Sequence, residues 1–148
     1  MTTARPAPGA RTVGVFPVAV DAHAVAAFAA ALGQDAPAGG AAAVPLTFPM
    51  RWFAEPAIRT ALMSAALPEG GGAHLLPVHV EQRIALSQPL RMGAGYRLTL
   101  AVEGPDARRL LRVTATLHDT DGGEVGLLNS GFLLVSTDAD DLSGPGAR

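Results

Sequence analysis

The sequence predicts an α+β domain in which an antiparallel sheet wraps around a central helix. Three observations support this prediction. The segment Val44 to Leu67 is long and apolar, as a buried helix is, and a Gly-rich turn, Glu69 to Ala73, ends it. After this turn, apolar and polar side chains alternate in short runs, as they do in strands. Short turns separate these runs, which favours antiparallel neighbours, and helices followed by strands are typical of α+β folds.

Length and composition indicate one folded domain. The chain has 148 residues, of which 49% are hydrophobic, and this is enough for one core. Residues 1–11 and 138–148 are rich in Pro, Gly, Arg or Asp and show no periodicity. We therefore expect disordered tails on both sides of a folded body at residues 12–137.

Charge and composition argue against several classes of function. Eleven basic and 13 acidic side chains provide no basic field for nucleic acid. No stretch approaches the roughly 18 apolar residues of a membrane span, and Met1 to Ala10 lacks the apolar core of a signal peptide. We therefore expect a cytoplasmic protein with no membrane partner. Because the chain has no cysteine and its four histidines are scattered, we also expect no metal and no cofactor.

The first part of the body predicts an edge strand and then a helix. Val13 to Val20 is a short apolar run that contains Pro17, which is typical of an edge strand or of an extended lead-in. Asp21 is a suitable N-cap, and the apolar spacing after it predicts about three helical turns. Gly33 is expected to end this helix in a left-handed conformation, and a Gly/Ala/Pro loop, Gln34 to Ala43, follows.

The central segment, Val44 to Leu67, is apolar on nearly all sides and is therefore predicted to be a buried helix. Pro56 has no amide hydrogen and clashes with the preceding turn. The helix therefore either begins near Pro56 or is broken there into two pieces. Both alternatives keep the segment in the core.

Four strands are predicted after the central helix. Their bounds are Leu76–Gln88, Tyr96–Glu103, Arg108–His118 and Val125–Ser136. Because the turns between them are short, we expect a meander in which each strand pairs with the next one.

Five short segments occur along the chain in an order known from one enzyme family. They are the loop after the first helix, VPLTFP at 44–49 before a helix, VHVEQRI at 78–84 on a strand, QPL at 88–90 before a Gly-containing turn, and DGGE at 121–124. Together they span about Val25 to Ser136, and they resemble the MaoC-like dehydratases, especially the N-terminal half of two-domain members. The resemblance implies a hot-dog fold and a role in the dehydration of (3R)-hydroxyacyl thioesters.

Active members of that family carry an acid and a histidine in the loop after the first helix, written Gly-Asp-x-Asn-Pro-x-His. The loop of this chain reads Gly33-Gln34-Asp35-Ala36-Pro37-Ala38-Gly39. Gln34 replaces the acid and Gly39 replaces the histidine, and neither side chain can transfer a proton. Asp35 is one position away and has no histidine near it in the sequence. We therefore expect no catalytic residue in this loop.

The resemblance also implies a partner. In this family, a unit without the two catalytic residues often pairs with a catalytic hot-dog unit, and their sheets join edge to edge. This chain is then the non-catalytic subunit of a heterodimeric lyase, and it shapes the acyl tunnel while its partner supplies the Asp and His. The substrate is a 3-hydroxyacyl chain on acyl carrier protein or coenzyme A, in fatty-acid or polyketide biosynthesis.

Candidate substrate-binding residues lie near the start of the central helix and on the first strand after it. They are Thr47, Phe48, Met50, Trp52, Phe53 and His79. The alternative for Met50, Trp52, Phe53 and also Met63 is core filling, because a buried helix under a sheet has the same pattern in both cases. Three arginines are candidates for contact with phosphopantetheine or a carrier-protein acid, with a solvated surface as the alternative: Arg51, Arg59 and Arg83.

His79 is the rival candidate for catalysis. It is two residues from Glu81 on a predicted strand, so the two side chains are expected to share a face and to be able to pair. The alternative is a hydrogen-bonded structural histidine. The other three histidines, His23, His74 and His118, are expected at the surface.

Two other functions stay open. One is a self-sufficient homodimeric dehydratase or thioesterase that uses His79 or another site; Glu55, beside Pro56, is the only acid on the central segment that suits a thioesterase. The other is a scaffold that binds an acyl chain without turnover.

Overall fold

A computed structural model of the chain describes residues 5–35, 44–67 and 75–137. Five strands are present in these ranges: β1 (Arg11–Ala19), β2 (Leu75–Leu86), β3 (Gly95–Glu103), β4 (Leu110–His118) and β5 (Glu124–Ser136). The helices are α1 (Ala22–Ala31), a 3₁₀ helix (Phe48–Ala54) and α2 (Pro56–Ala66). The strands form one antiparallel sheet in the order β1-β3-β4-β5-β2.

Helix α1 begins and ends where the sequence predicts. The Asp21 carboxylate accepts a hydrogen bond of 2.9 Å from the Ala24 amide, so it caps the first turn. Gly33 has a φ of +70°, which is the left-handed conformation that ends many helices and that a residue without Cβ adopts most readily. The prediction that β1 is an edge strand is confirmed as well.

The central segment consists of two helices, and Pro56 is the first residue of the second one. Proline is well suited to this position because its missing amide hydrogen is not needed in the first helical turn. The expectation of a helix buried on nearly all sides is wrong for α2. Ile58, Leu62 and Ala66 are buried on one face, whereas Arg59 and Thr60 are exposed on the other, so this helix is amphipathic.

The predicted meander is only partly correct. β3, β4 and β5 pair consecutively, but β2 pairs with β5 and lies at the sheet edge, so residues 92–95 do not form a hairpin turn between β2 and β3. Residues 87–94 instead carry the chain across the end of the sheet, with Leu90 buried on the way. β2 and β5 have 12 and 13 residues, against 9 in β3, so their pairing forms the longer ladder. Alternation within a strand sets which face is buried but not which strand is its neighbour.

The core lies between the helices and one face of the sheet. Side chains on this face are almost fully buried in the central strands, including Leu98, Leu100, Val113, Ala115, Leu117 and Leu128. The opposite face carries mainly polar residues, including Thr99, Thr114, Thr116, Asn129, Glu81 and Arg83. A pocket against the first face is therefore apolar, because the sheet supplies apolar side chains there.

The ends of the chain are described only in part. Arg5 forms an ion pair of 3.0 Å with Glu124, while residues 1–4 and 138–148 lie outside the described ranges. The predicted tails and the boundaries of the folded body therefore stay predictions. No helix among the described residues is long and apolar enough to cross a membrane.

Candidate functional site

A pocket of about 170 Å³ lies between α2 and the sheet. The helical side contributes Phe53, Leu62 and Met63, and the sheet contributes Pro77 from β2, Leu111 from β4 and Phe132 from β5. Among the described residues that line the pocket, Arg59 is the charged one. The described lining residues include no carboxylate, histidine or hydroxyl group. The pocket offers an apolar surface and one cation at its border.

Two adjacent residues of the 3₁₀ helix have different surroundings. The Trp52 side chain is 2% exposed, and its indole N–H donates a hydrogen bond of 3.2 Å to the Ala19 carbonyl oxygen. Its ring meets Phe48 edge to face at 6.0 Å, and Phe48 meets Phe28 in the same way at 5.7 Å. Phe53 is half-buried and lines the pocket. Trp52 therefore fills the core, and Phe53 forms a wall of the pocket.

His79 lies next to the pocket without lining it. It is paired with Phe132 in the β2–β5 ladder, and the two rings stack with centroids 5.0 Å apart and an interplanar angle of 25°. The Nε2 atom of His79 is 2.8 Å from the backbone carbonyl oxygen of Glu81. Because Phe132 is a wall of the pocket, its ring separates His79 from any group bound there.

The predicted side-chain pair of His79 and Glu81 is wrong. The register places His79 opposite Phe132 and Glu81 opposite Gly131, so a bulge at Val80 inserts one extra residue into β2. One extra residue reverses the alternation, and the Glu81 carboxylate instead pairs with Arg83 at 2.7 Å on the far side of the sheet. A carboxylate that holds and charges a histidine is therefore not supplied by Glu81.

The other predicted substrate-binding residues are distributed over four environments. Phe48 and Trp52 are enclosed in the core, Phe53 and Met63 line the pocket, Met50 is half-buried outside that lining, and Thr47 is exposed. The structure thus brings Phe53 together with Met63 and places His79 beside them, but it separates them from Phe48 and Trp52.

The three candidate arginines do not meet. Arg59 lines the pocket, whereas Arg83 lies on the far side of the sheet in its ion pair with Glu81. Arg51 lies with Glu55 in a different groove, between β1 and the start of α2. Glu55, the acid considered for a thioesterase, is exposed and is not among the residues that line the pocket.

His23, His118 and the described start of the degenerate loop contribute no second site. His23 is exposed, as expected, whereas His118 is half-buried because it lies at the end of β4 between Arg97 and Glu124 of the neighbouring strands. Gln34 and Asp35 are exposed. Gly39 and the rest of that loop, as well as His74, lie outside the described residues. Over the ranges that the structure covers, no three His, Cys, Asp or Glu side chains are grouped closely enough to hold a metal ion.

Sequence reasoning missed the walls that the sheet provides. Leu111 and Phe132 lie in strands whose inward positions follow from alternation, so the signal for their burial was present. Ser130, which is buried beside this wall, donates a hydrogen bond of 2.6 Å to the Gln82 side-chain oxygen. This pair joins β5 to β2 and depends on the strand order, which the pattern did not give.

Neither a family model nor a curated protein sequence matches this chain significantly. Several solved structures do. A chain of the C-terminally truncated HadBC complex, a (3R)-hydroxyacyl-ACP dehydratase from Mycobacterium tuberculosis, is 18% identical and gives a TM-score of 0.62, covering 82% of this chain and 96% of that chain. A hot-dog-like protein from Thermanaerovibrio acidaminovorans is 16% identical, with a TM-score of 0.58 and 91% of both chains covered.

Thioesterases are similar to this chain as well. A 1,4-dihydroxy-2-naphthoyl-CoA thioesterase from Synechocystis is 10% identical and gives a TM-score of 0.57, covering 84% of this chain and 82% of that chain. These likenesses show the fold: the chain has the hot-dog fold, and the predicted α+β architecture is confirmed. Dehydratases and thioesterases share this fold, so membership in the MaoC-like family stays a prediction.

Proposed function

We propose that this chain is the non-catalytic subunit of a cytoplasmic hot-dog dehydratase. Its substrates are 3-hydroxyacyl thioesters carried by acyl carrier protein or coenzyme A in fatty-acid or polyketide biosynthesis. The observation that carries the proposal is the pocket beside α2, which is apolar and has no acid or nucleophile among its described lining residues. Such a surface can hold an acyl chain, but it cannot move a proton.

The chemistry of dehydration explains why a partner is needed. The reaction removes the α-proton and expels the β-hydroxyl as water, so a base and an acid must reach the two carbons. The MaoC-type loop has Gln34 and Gly39 at the two catalytic positions. The base and the acid therefore come from a second hot-dog subunit with an intact Asp and His.

The free edge of β2 supports assembly with such a partner. β2 is a 12-residue strand that, among the described residues, has a neighbour on one side only, β5. The exposed fractions of Leu76, Val78 and Val80 are 54%, 39% and 54%. An edge strand presents unpaired backbone groups that can pair with another strand, and exposed apolar side chains add area to such a contact. A second sheet that joins here lies next to His79 and Phe132, and so next to the pocket.

A dehydration assay on a 3-hydroxyacyl thioester tests the proposal. It compares this chain alone, a catalytic hot-dog protein alone, and the two mixed, with His79→Ala in the mixture and His23→Ala as the control for an exposed histidine. We expect full activity only in the mixture and no loss with either variant. If the two proteins elute separately at micromolar concentration, the heterodimer is refuted.

A second candidate is a self-sufficient homodimeric dehydratase or thioesterase that uses His79. The observation in its favour is the stacking of His79 on Phe132, which places an imidazole one ring away from the pocket. Activity of the chain alone that His79→Ala abolishes supports this candidate and contradicts the first one. Binding of acyl thioesters without turnover, alone or in the mixture, supports the acyl-binding scaffold instead.

A further inference from the structure

The size of the pocket limits the group that fits into it. Its volume is about 170 Å³. A protein cavity of about 150 Å³ with aliphatic and aromatic walls holds benzene, which has six carbons. We propose that this pocket selects acyl groups of about six carbons and that Arg59 binds the acyl oxygen at its mouth. This inference rests on the proposed function and adds the chain length of its substrate.

Buried residues close the pocket at its inner end. Leu62, Leu111 and Val113 have exposed fractions of 8%, 3% and 1%, and they belong to α2 and to the central strand β4. Each packs into the main core, so an extended chain cannot pass between them without opening that core. The buried floor therefore limits how far an acyl chain can enter the pocket.

The outer walls are more open. Phe53, Met63 and Phe132 are half-buried, and each contributes a large side chain to the pocket. Substitutions at these positions change the free volume while leaving the buried floor in place. They are therefore the residues that adjust the preferred chain length.

Arg59 defines the polar end of the ligand. It lies on the exposed face of α2 and lines the pocket, so its aliphatic part can cover apolar surface while its guanidinium reaches water. A guanidinium donates hydrogen bonds to carbonyl and carboxylate oxygens alike. The ligand chemistry is a short apolar chain that ends in an acyl oxygen, and the source is either a thioester or a free acid.

Binding of acyl compounds to the full chain, measured by calorimetry, tests the inference. The probes are butyryl-, hexanoyl- and decanoyl-pantetheine, together with hexanoate. Because each buried methylene strengthens binding about fourfold, we expect hexanoyl-pantetheine to bind about 15-fold more tightly than the butyryl compound. Decanoyl-pantetheine is expected to bind no more tightly than the hexanoyl compound. Affinity that keeps rising through decanoyl overturns the length limit. Hexanoate binding more tightly than hexanoyl-pantetheine overturns the thioester as the source.

Two substitutions with opposite expected effects distinguish a change in pocket size from misfolding, because misfolding would weaken the binding of all probes. Phe132→Ala enlarges the pocket, so decanoyl-pantetheine should gain at least fivefold in affinity relative to the hexanoyl compound. Met63→Trp fills it, so hexanoyl binding should fall at least tenfold while butyryl binding changes little. Val15→Ala, an exposed valine on the opposite edge strand, serves as the control. An unchanged length preference in both pocket variants contradicts the inference.

Arg59→Gln tests the polar end, with Arg51→Gln, an exposed arginine of the preceding 3₁₀ helix in a different groove, as the control. We expect Arg59→Gln to weaken all acyl compounds about five- to tenfold without changing their order, and Arg51→Gln to have no effect. Equal effects of the two variants overturn the role of Arg59.

The chain-length inference and the proposed function can be rejected independently of each other. If the mixed subunits are active but show no preference for six carbons, the length inference fails and the proposed function stands. If the mixture is inactive while the binding profile is as expected, the proposed function fails. The inference that the pocket binds short acyl groups then stands.

Discussion

The helical layer has a closed end and an open end, and they differ although both consist of large apolar side chains. At the closed end, Phe28, Phe48 and Trp52 meet edge to face, and the indole N–H is bonded to β1. At the open end, Phe53 and Phe132 stand on opposite walls of the pocket. At the closed end the aromatic rings pack against one another and the indole N–H has a hydrogen-bond partner. At the open end the side chains of the helices and the sheet leave a pocket between them. Composition alone therefore does not distinguish the filled core from the pocket.

The largest expected effect separates Trp52 from its neighbour Phe53. Trp52→Ala should lower the free energy of unfolding by about 3–5 kcal/mol, because it removes a buried aromatic side chain. Phe53→Ala should cost less than half of that value, since this side chain is half-buried at the edge of existing space. Urea denaturation of both variants measures the difference. Equal losses contradict the distinction between the two ends.

The closed end lies near the edge strand β1, and the open end lies near the edge strand β2. A charge introduced on each edge tests which of the two edges forms the proposed interface. Val78 on β2 and Val15 on β1 are both exposed, with exposed fractions of 39% and 58%. Val78→Lys should weaken assembly with the proposed catalytic partner at least tenfold, because lysine on an edge strand opposes strand pairing. Val15→Lys should leave assembly unchanged, and both variants should alter the stability of the chain by less than about 0.5 kcal/mol. Sedimentation of the two mixed proteins gives the affinities. If Val15→Lys weakens assembly instead, the interface lies at β1.

The smallest effect is expected in the turn between β3 and β4, which belongs to neither end. Asp106 accepts hydrogen bonds from the amides of Leu110 and Arg108 at 3.0 and 2.8 Å, and these bonds hold the pKa of its carboxyl below the ordinary value of 3.8. A lowered pKa in the folded state stabilises the protein above pH 3.8, and this stabilisation is lost as the pH falls through the lowered pKa.

Asp106→Asn should therefore lower the Tm slightly at pH 7, and the difference from the wild type should shrink as the pH falls below 3.8. Thermal unfolding between neutral and acidic pH measures this. A difference that is constant with pH means that the carboxylate charge has no part in the stability of the turn.

Much of the fold follows from local patterns. The bounds of β3, β4 and β5 were predicted within two residues, because alternation and turn residues are local properties of the sequence. Asp21 begins α1 through its capping side chain, and Gly33 ends α1 through its left-handed backbone angle. The neighbour of β2 was predicted incorrectly, since strand pairing depends on ladders between distant segments.

The candidate site was less predictable than the fold. The bulge at Val80 leaves no signal in a run that alternates on both sides of it, so His79 and Glu81 were expected on one face. Trp52 and Phe53 are adjacent and both aromatic, and only the packing of the rings around them shows which one fills the core. Whether the site residues act as proposed stays a prediction that the variants above test.

The pairing of β2 with β5 has a consequence for synthesis of the chain. β2 leaves the ribosome before β5, so Leu76, Val78 and Val80 emerge on a strand whose pairing partner has not yet been made. The sheet, the floor and walls of the pocket and the β2 edge are completed together only after the last strand has been translated. A nascent chain that stalls before Glu124 therefore exposes the unpaired backbone of β2 to chaperones and proteases.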